Sequence, residues 1–144
     1  MKILVLNGSP KGKYSITLQH TRYLEKLYPQ HSFEVLNVVQ KIKSLQKDFS
    51  AAKTAIEKAD LLLFSYPVYT FVAPCQLHKF MELLKGEDMD LSSKYATQIT
   101  TSKHFYDVTA HRYVQDNCGD LGLKYIKGLS ADMDDLLSEK GQKE

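Results

Sequence analysis

Three stretches of this chain group residues able to bind an anion and a flat ring. The first, Asn7-Gly-Ser-Pro-Lys-Gly-Lys-Tyr-Ser-Ile-Thr17, is a turn of small residues with hydroxyls at Ser9, Ser15 and Thr17, opening into a helical pattern. The first turn of a helix has N–H groups without intrahelical partners and the positive end of the helix dipole, so a phosphate is stabilised there. Lys11 and Lys13 add positive charge, while Ser15 also suits a helix N-cap and Ser9 a turn. The spacing is not GxxxxGK[ST], because position 13 is Lys, nor GxGxxG, because position 10 is Pro.

The second stretch, Ser65-Tyr-Pro-Val-Tyr-Thr-Phe-Val-Ala-Pro74, sets Tyr66, Tyr69 and Phe71 between two prolines. Proline stiffens a loop, and apolar or aromatic side chains on a stiff loop can wall a flat ring system. Packing beneath a neighbouring subunit is the other use of such a surface. The third stretch, Thr100-Thr-Ser-Lys-His-Phe-Tyr106, is rich in donors that suit the polar edge of a bound ring. His104 is a candidate donor beside developing negative charge, or a surface or capping residue. His20, His31, His78 and His111 form no pair with metal-like spacing. A flat apolar wall beside a phosphate site implies a nucleotide-like cofactor.

These loops must be held by strands and helices, and the chain alternates the two. Lys2 to Asn7 is a short run of strand formers ended by Gly8-Ser9-Pro10. Ile16, Tyr23, Leu24, Leu27 and Tyr28 follow at helical spacing up to Pro29, then Ser32 to Val38 reads as a second strand. Ile42, Leu45, Phe49, Ala52, Ile56 and Ala59 predict one helix, and Leu61 to Phe64 a central strand covered on both faces. Leu77, Phe80, Met81 and Leu84 predict another helix. Lys94 to Thr101 reads as a strand, Asp107 to Cys118 as a helix and Leu123 to Ile126 as a fifth short strand. Asp132 to Leu137 begins a last helix that passes into a hydrophilic tail, so the final helix is stunted or the chain is part of something longer.

Such alternation predicts an α/β fold: a three-layer α/β/α arrangement on a five-stranded parallel sheet in the flavodoxin-like order 2-1-3-4-5. Ligands of open α/β sheets bind beyond the carboxyl ends of the strands, where all three loops fall.

The 144 residues suit a single domain, 1–144, with 43% hydrophobic and 25% charged residues. That composition excludes disordered and disulfide-scaffold classes. Apolar runs such as Leu61 to Phe64 are far short of the ~20 residues of a membrane span, and the N-terminal run is too short for a signal-peptide core. A cytoplasmic protein without a membrane partner is expected. Net charge is +2, and the excess of lysine and arginine in the first sixty residues is spread along helices, so no nucleic-acid partner is expected. Cys75 and Cys118 have no metal-ligand or CxxC spacing, and no metal is expected.

The motifs resemble a known family. GSPKGKYSIT is similar to the phosphate loop of the flavodoxin-like NADPH-dependent FMN reductase superfamily, and YPVYTFVAPCQLHKFMELL to its second signature. The resemblance runs in order along essentially the whole chain. It implies noncovalently bound FMN, with Ser9, Lys11, Ser15, Ile16 and Thr17 holding the phosphate. It places Pro67, Val68, Tyr69, Thr70 and Phe71 along the isoalloxazine, and Thr101, Ser102 and His104 at its polar edge. Ile16 stands where the family often has Asn, and the third loop lacks the family's common Gly-Gly pair. Val38 to Ala59 contains no Cys, which argues against an iron–sulfur member.

The resemblance implies an NAD(P)H oxidoreductase in which the cofactor supplies the redox chemistry and the protein supplies position and electrostatics. NAD(P)H is then the electron donor, and a quinone, an aromatic compound or a redox protein the acceptor. A homodimer is also implied. Two alternatives remain at this point: a flavodoxin-like electron carrier, against which the net charge of +2 speaks because carriers are typically acidic, and a degenerate, non-enzymatic domain. No catalytic side chain is assigned.

Overall fold

The computed structural model describes residues 1–103 and 106–141. Its first strand, β1 (Lys2–Asn7), is followed by a 3-10 turn at Gly12–Tyr14 and by α1 (Ile16–Leu27). Then come β2 (Ser32–Asn37), α2 (Val38–Lys47), α3 (Ser50–Lys58) and β3 (Leu61–Pro67). The remainder is α4 (Cys75–Lys85), β4 (Tyr95–Ser102), α5 (Val108–Asp120), β5 (Lys124–Tyr125), β6 (Leu129–Asp132) and α6 (Met133–Leu136).

All strand pairs are parallel, in the order β2-β1-β3-β4-β5, with β6 also beside β4. This is the doubly wound, flavodoxin-like α/β order, and the first and third strands flank its switch point. Side chains alternate across the sheet, so the central strands feed two cores. Leu4, Leu6, Leu62, Phe64 and Tyr66 face the large core beneath α2, α3, α4 and α5. Ile3, Val5, Leu63 and Ile99 face the smaller one, where Leu18 of α1 packs. At about 25 cal/mol per Å2 of apolar area, burial of this kind drives the sandwich together.

Chain chemistry explains where the elements stop. Tyr28 leaves helical geometry (φ −122°, ψ 63°) because Pro29 follows it. The one helix expected across Ile42 to Ala59 is two: Asp48 is extended (φ −150°, ψ 110°), and its carboxylate accepts from the Ser50 amide at 2.9 Å to start α3. Val38, expected to end the second strand, instead begins α2.

The expected fifth strand, Leu123 to Ile126, also needs correction. Only Lys124–Tyr125 pairs there, and the longer partner of β4 is β6. Tyr95 lies opposite Lys124 whereas Ile99 lies opposite Leu129, so the register lengthens by one residue between the two segments. They are one edge strand broken by a bulge. Gly128 sits in the break, where a Cβ would lie 2.4 Å from Gln98 Cγ and 2.5 Å from its carbonyl oxygen. α6 is only four residues long and is capped by the Asp132 carboxylate, which accepts from the Asp134 amide at 2.7 Å. Among the described residues no helix is long and apolar enough to cross a membrane.

Candidate functional site

The ends of β1, β3 and β4 and the start of α1 converge on one cavity of about 230 Å3. The loop that bounds it is anchored by Asn7, a wholly buried residue at the end of β1. The Asn7 side-chain amide donates to the Gly12 carbonyl at 3.1 Å and to Asn37 Oδ1 at 2.9 Å, and its Oδ1 accepts from the Ser9 amide at 3.2 Å. Both ends of the first loop are thereby fixed to the sheet. Gly12 takes φ +52°, a conformation that strains residues bearing a side chain, so glycine suits the turn.

Ser15 is the N-cap of α1, extended at φ −67° and ψ 129°, and its Oγ accepts from the Leu18 amide at 3.4 Å, a long bond. The Ser9 hydroxyl accepts from the Lys11 amide at 3.3 Å. Thr17 Oγ1 lies 2.7 Å from Thr101 Oγ1, joining the first turn of α1 to the end of β4. Ser9, Ser15 and Thr17 are all buried, yet all line the cavity. The amides of Ile16 and Thr17 have no partner among the described residues, as expected in the first turn of a helix.

The opposite wall is Pro67, Val68 and Tyr69, and the Val68 amide donates to the Thr101 carbonyl at 2.9 Å. Thr101 and Ser102 close the cavity from β4. Ser102 is 3% exposed and its hydroxyl has no partner among the described residues. A buried hydroxyl left unmatched in a cavity wall suits a polar ligand atom, since leaving it so costs about 1–3 kcal/mol.

Of the residues selected from the sequence, Ser9, Lys11, Ser15, Ile16, Thr17, Pro67, Val68, Tyr69, Thr101 and Ser102 line this cavity. Thr70 and Phe71 do not; they lie just beyond Tyr69, where Phe71 adopts φ 61° and the Val72 amide donates to the Thr70 carbonyl at 2.7 Å. That is a strained γ-turn for a residue bearing a side chain. Phe71 is half-exposed, and its ring packs against Tyr106 with centroids 5.2 Å apart. His104 lies outside the described residues.

Three contributors escaped the sequence reading. Lys103 and Met133 also line the cavity, and Asn7 anchors its first loop. Asn7 carried a local signal, being an Asx residue at a strand end before Gly-Ser-Pro. Met133 carried none, because it arrives on the β6–α6 segment. Lys11 and Lys103 face the cavity, and among the described lining residues none is acidic. Free amides, hydroxyls and lysines suit a dianion, and the apolar wall suits a flat ring.

Comparison with known proteins bears on the fold. The described fold resembles an FMN-dependent NADH-azoreductase from Bacillus anthracis (TM-score 0.68, 15% identity, covering 99% of this chain and 93% of that one). It also resembles an NAD(P)H:quinone oxidoreductase from Methanothermobacter marburgensis (TM-score 0.73, 14% identity, 92% and 83%). A third likeness is to FerB, a flavoenzyme NAD(P)H:acceptor oxidoreductase from Paracoccus denitrificans (TM-score 0.70, 20% identity, 87% and 74%). No curated protein sequence gives a match. The sequence profile of NADPH-dependent FMN reductases matches residues 1–116, and the chain belongs to that family.

Proposed function

We propose that the whole chain, 1–144, acts as one FMN-binding domain that takes electrons from NAD(P)H and passes them to a quinone, an aromatic compound or a redox protein. The observation that carries this reading is the convergence of two unpartnered amides, five buried hydroxyl residues and an apolar loop on one cavity without a carboxylate among its described lining residues. The residues fit the cofactor: the hydroxyls of Ser9, Ser15 and Thr17 and the amides of Ile16 and Thr17 would hold the phosphate, with Lys11 adding charge. Pro67, Val68 and Tyr69, extended by Thr70 and Phe71, would line the isoalloxazine. Thr101, Ser102 and His104 would meet its polar edge.

FMN, when bound, supplies the hydride and electron chemistry. The chain's own work is position and potential. The dipole of α1 and Lys11 would offset the phosphate charge. The Val68–Thr101 bond fixes the spacing between the apolar wall and the polar edge. Donors at that edge favour negative charge developing on the ring. The cavity is smaller than the roughly 300–1,000 Å3 of enclosing ligand pockets, which suits a site left open to an electron donor and acceptor.

Family membership and likeness to oxidoreductases favour an enzyme over a carrier, and the net charge of +2 agrees. A homodimer and a cytoplasmic location remain part of the proposal. The test is anaerobic addition of NADPH to protein loaded with FMN. Rapid bleaching of the visible flavin bands supports an enzyme; bleaching only when a separate reductase is added would leave a carrier.

A further inference from the structure

On the other face of β4 lies a buried polar cluster that the cavity does not use. Thr100 Oγ1 donates to Asp107 Oδ2 at 3.0 Å and lies 2.7 Å from His111 Nε2. A hydroxyl has one proton to give. Donating it to Asp107 makes Thr100 the acceptor from His111, so Nε2 carries the hydrogen. Asp107 Oδ2 is also 3.4 Å from that nitrogen. Thr100 and Asp107 are both buried. Below them the cluster continues through Gln98, whose amide donates to the His111 carbonyl at 3.0 Å and meets the Tyr125 hydroxyl, and which accepts from Tyr66 at 2.6 Å.

Position gives this cluster its consequence. Thr100, near the end of β4, and Asp107, the N-cap of α5, are the two feet of the cluster, and their bond ties strand to helix. Thr101, one residue above one foot, bonds Thr17 and lines the cavity. Tyr106, one residue before the other foot, packs its ring at a tilt of 55° against that of Phe71, whose positive φ persists only where neighbours hold it. Phe71 follows the cavity wall at Tyr69 by two positions.

We propose that Thr100, Asp107 and His111 form a clasp that positions the Phe71–Tyr106 pair beside the cavity and so shapes access to the ring face of the bound cofactor. The inference rests on the FMN reading for its functional consequence and on the hydrogen bonds for its structural one. These three are positioning residues; none touches the cavity itself.

The test compares Thr100→Val, which keeps the shape and removes the hydroxyl, with Thr100→Ser, which restores it. FMN affinity, the visible circular dichroism of bound FMN and the KM for menadione as a quinone probe are measured on each. The clasp predicts an altered flavin dichroism and a KM raised about five- to tenfold in Thr100→Val, the scale of roughly one hydrogen bond, with both restored in Thr100→Ser. A folded Thr100→Val protein with unchanged dichroism and KM overturns it. Should that variant not fold, Asp107→Ala, which removes the acceptor, takes its place with the same two outcomes.

If the wild-type protein takes no FMN, the functional reading fails and the clasp is judged on the free protein by NMR. Contacts between the Phe71 and Tyr106 rings and a hydrogen on His111 Nε2 support it. Rings unaffected by loss of the Thr100 or Asp107 hydrogen bond overturn it.

Discussion

Ser15 serves two ends that one substitution can separate. As the N-cap of α1 its hydroxyl accepts from the Leu18 amide at 3.4 Å. A well-formed cap contributes about 0.5–2 kcal/mol, and a bond this long belongs at the bottom of that range, near ~0.5 kcal/mol. For a domain of this size a loss of that scale lowers the melting temperature by about 1–3 °C. As a phosphate ligand, the same hydroxyl would make a charge-assisted bond of about 1.5–3 kcal/mol, or roughly ten- to 150-fold in Kd. Ser15→Ala is therefore expected to change FMN affinity far more than stability. Flavin fluorescence quenching reads the first, thermal unfolding of the FMN-free protein the second, and Ser15→Thr should preserve both. A Kd unchanged within about twofold beside a lowered melting temperature would reduce Ser15 to a cap and refute the reasoning.

Ile16 lines the cavity at the first helical position with 45% of its surface exposed, so Ile16→Asn removes little packing and adds a donor. FMN affinity should tighten by about tenfold, the worth of one bond to a charged group; titration showing no gain would place this side chain away from the phosphate. Burial lowers the pKa of both His78 and His111. The unfolded chain then binds more protons just below the ordinary value near 6.5, so stability should be full above that pH and fall as pH drops toward the lowered values. Denaturant melts of His78→Asn and His111→Asn should each show a flatter decline, and parallel curves would contradict the shift. Gly128→Ala should cost about 1–3 kcal/mol by overpacking against Gln98, seen as an earlier urea midpoint. Cys75 is exposed whereas burial pushes the Cys118 thiol up to about 12, so a thiol reagent should label Cys75 in the native protein and Cys118 only on unfolding.

The sheet was legible because burial on both faces dictates composition: Leu61 to Phe64 could only be a central strand, and helix-strand alternation then forces parallel order. Periodicity is blind where a break leaves the apolar face intact. Phe49 and Ala52 enter the same core as Leu45, so the interruption at Asp48 left no trace in the spacing. Leu129-Ser-Ala-Asp132 has little strand character of its own. Its pairing depends on β4 being already in place and on Gly128 passing close over Gln98. That the first loop and the proline-bounded segment would share a cavity could be read because each is local. Met133 and the clasp at Thr100 depend on segments meeting in space, which spacing along the chain does not encode, whereas Lys103 stands beside Ser102 in the third stretch.

The central claim is that the first turn of α1 grips a phosphate, and comparing FMN with riboflavin tests it most directly, since the two differ only in that group. Fluorescence titration should show one FMN bound per chain and riboflavin weaker by at least about 100-fold, as loss of several charge-assisted bonds requires. Equal affinity for the two flavins, or no binding of FMN at saturating concentration, would contradict the account.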